Sequence, residues 1–318
     1  MERPILSARG AAGYLEALDN VLLLTHVRPD GDTIGSAAAL CRALQDCGQT
    51  AYLLPNPEIT ATYAPYAAPY WAPEDWQAEH IVSVDIADAS LLPENAQSYR
   101  DRIELAIDHH PSQTFFARNT CLEADSAACG EIVYEIIQHL TALTADIALP
   151  LYVAVSTDCG GFQYGNTTAR THRIAAALMD VVDVAAVNKT LFRTKSRVRL
   201  AMEARMVADM ELYDHQRVVV MEIPLSLRQE MQATDADIEE LSALPALVEG
   251  TDCGVTLREL RPGTVKVSVR TGPRVDACAL CRILGGGGHH AASGATVEGT
   301  LDEARMAVLA AYRKVIGA

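Results

Sequence analysis

Three short apolar runs in this chain each stop at an aspartate or a histidine. Val21-Leu22-Leu23-Leu24-Thr25 leads into His26, and His80-Ile81-Val82-Ser83-Val84 leads into Asp85. Ile103-Glu104-Leu105-Ala106-Ile107 leads into Asp108-His109-His110. Runs of this length suit strands buried on both faces of a parallel sheet. Ile34 to Cys47 reads as a small-residue helix closed by Gly48, and Ala51 to Leu54 as the next strand. Strand, polar loop, helix and strand make one βαβ unit. The expected fold is therefore α/β, with a larger domain built on a mostly parallel sheet flanked by helices. In such open sheets, functional groups gather beyond the carboxyl ends of the strands. Here those ends carry Asp and His almost exclusively.

The remaining segments fill in around this frame. Helices are expected over 7–19, weakly over 88–102, over Ser126–Leu140 with Ser126 as N-cap, and over Thr167–Val182. Leu149 to Ser156 is an apolar run, helix or strand, that leads to Asp158. Residues 55–79 have no period, and Trp71 and Trp76 are expected to pack this loop onto the domain. Residues 189–212 read as a helix linking two domains, 1–188 and 213–318. It opens with the most basic stretch of the chain, Lys189 to Arg199, with Arg193, Arg197 and Arg199 among its cations. The plain reading is a solvated helix face, and the sharper one turns an arginine toward a substrate phosphate. The smaller domain is expected to hold a strand at Val218–Ile223 and a hairpin, Cys253–Leu260 with Thr264–Arg270, around Arg261-Pro262-Gly263. A helix over Asp276–Leu284 and a closing helix over Thr300–Ile316 flank the run Gly285 to Gly294.

Charge narrows the function. The formal net charge is −15, and the only lysines are Lys189, Lys195, Lys266 and Lys314. Proteins that grip long nucleic acid carry basic stripes, because neutralising phosphates drives that binding. Long duplex DNA is thus not an expected partner, whereas a small phosphorylated substrate fits if bound cations supply the positive charge. No run reaches the about 18–20 apolar residues of a membrane span. Met1-Glu2-Arg3-Pro4 lacks the blocks of a signal peptide, so a cytoplasmic location without a membrane is expected. The eight cysteines fit small buried side chains. That includes the Cys278/Cys281 pair, which falls on a helix with no second pair at zinc-site spacing.

The chemistry lies in His26, Asp30, Asp32, Asp85, Asp108, His109, His110 and Asp158. Clustered carboxylates repel, so either their pKa values rise or cations neutralise them. Mixed imidazole and carboxylate donors suit Mn²⁺, Zn²⁺ or Fe²⁺ better than Ca²⁺. Six or more donors exceed one tetrahedral zinc and match two metals, the arrangement used to hydrolyse phosphate esters. The second feature is Gly285-Gly286-Gly287-Gly288-His289-His290-Ala291-Ala292-Ser293-Gly294. Its glycines let backbone N–H groups approach an anion, but its spacing is neither a Walker loop nor a dinucleotide fingerprint. Arg270, closing the strand Val265–Val269, is placed to add a bidentate phosphate contact.

These five blocks together resemble the DHH/DHHA1 phosphoesterase family. They are His26-Val27-Arg28-Pro29-Asp30-Gly31-Asp32-Thr33-Ile34-Gly35-Ser36, Val84-Asp85, Asp108-His109-His110, Ser156-Thr157-Asp158 and Gly285 to Gly294. The resemblance spans nearly the whole chain and is closest to short bacterial members acting as oligoribonucleases and 3′-phosphoadenosine 5′-phosphate phosphatases. It implies a smaller α/β DHHA1 domain and two divalent cations, usually Mn²⁺. One would take His26, Asp30 and Asp85, and the other Asp32, Asp85, His109 and Asp158. His110 would contact substrate or donate a proton to the leaving group, and Asp108 would orient a histidine. Arg270 and His289, with the backbone of Gly286, Gly287 and Gly288 and with Ser293, would bind substrate. Short single-stranded oligoribonucleotides or small nucleotides are the implied partners, and a homodimer is an expectation from resemblance alone. The same site is also suited to cyclic di-AMP or linear pApA. The reading from a different class is a catalytically inactive nucleotide-binding module, which the unsubstituted ligand set argues against. Arg28 is a point of variation to which the sequence assigns no role.

Overall fold

A computed structural model describes residues 4–317. Met1, Glu2 and Arg3, read above for signal-peptide character, lie outside that range. The chain forms two compact units, Met1–Thr194 and Lys195–Ala318.

The first unit carries a five-stranded, fully parallel sheet of β1 (Val21–Leu24), β2 (Ala51–Leu53), β3 (His80–Val84), β4 (Ile103–Asp108) and β5 (Asn119–Leu122), in the order β2-β1-β3-β4-β5. Alternate residues face opposite layers. Leu23, Val82, Val84, Leu105 and Ile107 pack on the helices Ala8–Glu16, Gly31–Asp46, Cys129–Leu140, Ala145–Asp158 and Ala169–Met179. Leu22, Leu24, Ile81 and Ala106 pack on a layer of 3₁₀ turns and loop that includes Trp76, Tyr99 and Phe116. Trp76 meets Tyr52 edge-on at 5.0 Å, so it packs the 55–79 loop as expected, while Trp71 is partly exposed. The direction of chain travel across the sheet reverses between β1 and β3. That reversal opens a crevice at their carboxyl ends, where open α/β sheets place ligands.

Several segments differ from the sequence reading. The run ending at Asp158 is a helix, Ala145–Asp158, buried along most of its length despite Pro150 within it. Residues 88–102 form two 3₁₀ segments, Ala89–Leu91 and Glu94–Arg102, separated at Leu92-Pro93. The helix expected from Ser126 begins at Cys129, and no side chain at Ala128 caps it. Residues 189–212 divide into a π-turn at Lys189–Arg193, extended backbone at Thr194, and a helix at Arg197–Ala208 capped by Ser196. Lys195 and Arg199 both reach Glu203, at 2.8 and 3.2 Å. Two cations of the basic stretch are thereby paired with Glu203 of the Arg197–Ala208 helix.

Small residues let the Gly31–Asp46 and Ala145–Asp158 helices touch. A Cβ at Gly35 would stand 2.2 Å from the Pro150 carbonyl oxygen and 2.7 Å from the Ala154 nitrogen. Backbone atoms cannot rotate away as a side chain can. Gly35→Ala gains about 1 kcal/mol of helix propensity, yet overpacking of this kind costs about 3 kcal/mol. The expected net loss of about 2 kcal/mol is read from chemical denaturation. A variant as stable as the parent would show that the helices separate freely.

The second unit holds a mixed sheet in the order β10-β11-β9-β8-β7-β6. Its strands are β6 (Glu211–Tyr213), β7 (Val218–Ile223), β8 (Cys253–Arg261), β9 (Thr264–Thr271), β10 (Gly287–Gly288) and β11 (Ala292–Glu298). The β8–β9 hairpin turns at Pro262-Gly263, as the sequence predicts. Val255, Leu257, Val265, Val267 and Val269 face the helices Ala277–Ile283 and Leu301–Ile316. Over β7, the opposite face is covered by the Arg197–Ala208 helix and the 235–247 segment. Burial pushes the Cys281 thiol up to about 11, and neither Cys278 nor Cys281 is disulfide-bonded. Both observations fit packing residues.

Candidate active site

Each strand end delivers its side chain to the β1/β3 crevice by a specific local device. Asp30 caps the Gly31–Asp46 helix, its Oδ1 accepting from the amides of Asp32 and Thr33 at 3.0 and 3.2 Å. That turn places Asp32 in the first helical turn, 1% exposed. Asp85 follows β3 with φ +61°, in the left-handed region that non-glycine residues seldom occupy. Its carboxylate is buried, and Oδ1 has no hydrogen-bond partner. An aspartate held in a strained conformation with an orphaned buried oxygen is destabilising unless something else binds that oxygen.

The histidines are oriented from behind. His26 Nδ1 lies 2.8 Å from the Val27 carbonyl, and His109 Nδ1 lies 3.1 Å from the Ser126 carbonyl. A carbonyl only accepts, so each Nδ1 carries the proton and each Nε2 offers its lone pair to the crevice. His26 Nε2 stands 3.6 Å from Asp30 Oδ1 and 3.7 Å from Asp85 Oδ2. His109 Nε2 stands 3.8, 3.5 and 3.7 Å from oxygens of Asp32, Asp85 and Asp158. These gaps are too long for hydrogen bonds. They approach the roughly 3–3.5 Å between two donors that share an ion at about 2.1 Å. The donors fall into overlapping groups, His26/Asp30/Asp85, Asp32/His109/Asp158 and Asp85/His109/His110. Asp85 and His109 each belong to two of them. The donor set and the orphaned Asp85 oxygen both fit divalent cations.

His110 is arranged differently. Its Nδ1 donates to Asp108 Oδ1 at 2.8 Å, and Asp108 is fully buried. The other Asp108 oxygen accepts from Gln113 Nε2 at 2.7 Å, and Gln113 also donates to the Ile86 carbonyl. Asp108 raises the His110 pKa against the opposing effect of burial. The imidazole is thus anchored at one nitrogen and biased toward its protonated form.

The carboxylates respond to confinement without a counter-ion. Burial pushes Asp32 well above the ordinary range, and repulsion from Asp158 and Asp30 adds to it. Burial likewise raises Asp85, reinforced by Asp32, Asp30, Asp108 and Asp158. Asp158 is raised by burial although His109 pulls it down. Asp30 runs the other way, because attraction from His26 and the hydrogen bonds from the Thr33 and Asp32 amides outweigh its burial.

The structure brings all eight of these residues together, and the sequence did not single out their supports. Asp32 Oδ2 accepts from the Cys129 amide at 2.7 Å, and Oδ1 accepts from the Gly130 amide and Ser36 Oγ at 2.9 Å each. Asp32 therefore does the capping expected of Ser126. Ser126 instead gives its carbonyl to His109, while its hydroxyl reaches Glu123 and Arg170 Nη1 at 3.1 and 3.2 Å. Arg170 also binds Glu123 at 2.9 Å and so ties down the segment that aims His109.

The second unit has a cavity of about 500 Å³ over β8, β9 and β11. Arg270, Gly287, Gly288, His289 and Ser293 line it, along with Thr256, Arg258, Lys266 and Ser268, which the sequence did not single out. Gly288 has φ +142°, and a Cβ there would meet Ser293 Oγ at 2.7 Å. Gly286 is not in the lining. A Cβ on it would stand 2.1 Å from the Gly294 carbonyl oxygen, so it permits close chain packing.

Residues 20–155 match the DHH family, N-terminal domain. A bifunctional oligoribonuclease and PAP phosphatase, NrnA of Thermus thermophilus, is 32% identical over 313 residues, covering 96% of this chain and 93% of that protein. The NrnA of Bacillus subtilis is 24% identical over 288 residues, covering 88% and 90%. An exopolyphosphatase-related protein from Bacteroides fragilis has the same fold, with a TM-score of 0.88 at 21% identity over 100% of this chain and 99% of that one.

Proposed function

Because the chain belongs to the DHH family, we propose that it is a metal-dependent phosphoesterase that degrades short single-stranded oligoribonucleotides to nucleoside 5′-monophosphates and also dephosphorylates 3′-phosphoadenosine 5′-phosphate. The observation that carries this reading is the convergence of His26, Asp30, Asp32, Asp85, His109 and Asp158 around an orphaned buried carboxylate oxygen. The relatives named oligoribonuclease and PAP phosphatase support the substrate class. His26, Asp30 and Asp85 would hold one divalent cation, and Asp32, Asp85, His109 and Asp158 the other, with manganese as the expected metal. Two such cations would supply charge to neutralise phosphoryl oxygens and would lower the pKa of a nucleophilic water.

The chain's own groups do the rest. His110, fixed at Nδ1 by Asp108, presents Nε2–H toward the substrate and gives its proton to the departing oxygen. Asp108 keeps that imidazole charged and stationary. Arg270, His289, Ser293 and the backbone of Gly287 and Gly288 bind a substrate phosphate in the cavity of the second unit. No helix among the described residues is long and apolar enough to cross a membrane.

The test is a panel of 5′-phosphorylated oligoribonucleotides of graded length, 3′-phosphoadenosine 5′-phosphate, pApA, cyclic di-AMP and pyrophosphate, each incubated with full-length protein and Mn²⁺. Release of mononucleotides from the shortest oligoribonucleotides should be fastest. Turnover confined to cyclic di-AMP or pyrophosphate would overturn the reading. His110→Gln should lower kcat by about 10²–10⁴-fold while leaving the Mn²⁺-induced rise in Tm intact. Loss of that rise would place His110 among the metal ligands instead.

A further inference from the structure

Asp32, His109 and Asp158 form one of the donor groups, and they come from distant parts of the chain. Two of them are fastened to the same short segment, residues 126–130. Asp32 accepts from the Cys129 and Gly130 amides at 2.7 and 2.9 Å. His109 Nδ1 lies 3.1 Å from the Ser126 carbonyl oxygen. The Ala127 carbonyl, between those contacts, accepts from Asn166 Nδ2 at 3.0 Å. The same nitrogen donates at 3.1 Å to the main-chain carbonyl of Asp158, the third donor. A carbonyl only accepts, so the amide nitrogen must be the atom that faces both, and it uses both of its protons.

Asn166 reaches this position through a tight reversal. Gly160, Gly161 and Phe162 follow the Ala145–Asp158 helix with φ +55°, +65° and +68°. Left-handed residues of this kind end a helix and turn the chain back. Beyond the reversal, Thr168 caps the Ala169–Met179 helix, and the first turn of that helix grips the same segment again. Arg170 Nη1 lies 3.2 Å from Ser126 Oγ. Thr171 Oγ1 donates at 2.5 Å to the buried Glu131, whose other oxygen accepts from the Ala127 amide at 3.3 Å. The acceptor of the Asn166 bond is therefore held in place from several sides. Asn166 itself is exposed. Each of its bonds adds about 0.5–1.5 kcal/mol net, too little for the fold to depend on. Together they nevertheless decide where the last residue of the Ala145–Asp158 helix sits.

We infer that Asn166 is a positioning residue: it sets the distance between Asp158 and the Asp32/His109 pair, and so the affinity of that group for a divalent cation, without touching the ion. That the group holds a cation rests on the proposed function; the bonds that join its three members do not.

Calorimetric titration of metal-free, full-length protein with Mn²⁺ tests this. The parent should bind about two equivalents. Asn166→Ala should weaken one binding event roughly 10–100-fold and leave the other within about twofold. The metal-free Tm should fall by no more than about 5 °C. Asn166→Leu, which fills similar space without a donor, carries the same expectation should the alanine variant not fold. In an Asp158→Asn background, the Mn²⁺ binding that remains should change by less than about twofold on the same substitution. A lower Tm with both affinities intact, both events weakened alike, or an undiminished effect in the Asp158→Asn background would assign Asn166 to the fold alone. Any of these overturns the inference and leaves the proposed cation sites standing. A parent that binds no Mn²⁺ removes those sites and the inference with them.

Discussion

Asp85→Asn should abolish turnover and yet make the metal-free protein more stable. In the folded protein the Asp85 carboxylate is buried among four other carboxylates, which together with burial hold its pKa well above the ordinary range. Asparagine has the same shape without the charge, and it tolerates the left-handed backbone at φ +61° better than alanine does. The repulsion goes and the packing stays, so the metal-free denaturation midpoint should rise. Asp85 is also the proposed bridge between two cations, and an amide is a far poorer ligand than a carboxylate. Turnover should fall by roughly 10³-fold or more, about 4 kcal/mol of transition-state stabilisation. The Mn²⁺-dependent rise in Tm should shrink with it. Near-normal activity, or an undiminished metal effect, would eliminate the two-cation assignment.

The second large effect is a reversal of pH dependence when metal is removed. Asp32, Asp85 and Asp158 have folded pKa values raised above their unfolded values. Above the unfolded carboxyl range near about 4, the unfolded chain has released these protons and the folded chain still holds them. Stability then falls as pH rises, until the folded values are passed. His26 and His110 act in the same direction, because their folded values are also raised. Their contribution is fully present below about 6.5 and is lost as pH climbs through the folded values. Among the shifted groups of the site, only Asp30 opposes, with a lowered value whose stabilisation is lost in acid. Chelated protein should therefore be more stable near pH 5 than near pH 8. Cations compete with protons for these same atoms, so Mn²⁺ should bind more tightly as pH rises and reverse the slope. Denaturation midpoints at both pH values, with chelator and with Mn²⁺, check both halves. A flat or rising curve in chelator would mean that the carboxylates are not mutually strained.

Residues that announce themselves by type and position were legible in the sequence. His26, Asp85 and Asp108 end apolar runs of four to six residues bounded by polar loops, which suit strands with their ends at the crevice. Asp158 was located, but the element carrying it was not. The Ala145–Asp158 helix is buried along most of its length, so its apolar residues show no period. The start of the Cys129–Leu140 helix was missed because its cap is Asp32, 97 residues away in the chain. No local pattern encodes such a partner. Arg258 was overlooked for a related reason. It comes to line the cavity only through its register in the β8–β9 hairpin, whereas Arg270 could be singled out by its place at the end of an apolar strand.

The glycine contacts that the Gly31–Asp46 and Cys129–Leu140 helices make with the Ala145–Asp158 helix have a consequence for the proposed cation site. Besides Gly35, a Cβ at Gly31 would stand 2.3 Å from Thr157 Oγ1, and one at Gly130 would stand 2.8 Å from the Ala154 Cβ. Gly31 separates Asp30 from Asp32, and Thr157 precedes Asp158. The span from Asp32 to Asp158 is therefore set by close approaches at glycines, with Gly35 against main chain and Gly31 against the Thr157 side chain. Selectivity among hard cations depends on cage dimensions and flexibility as well as on ligand type. On the proposed two-cation reading, such a seam would grade cations by size through residues that do not touch them.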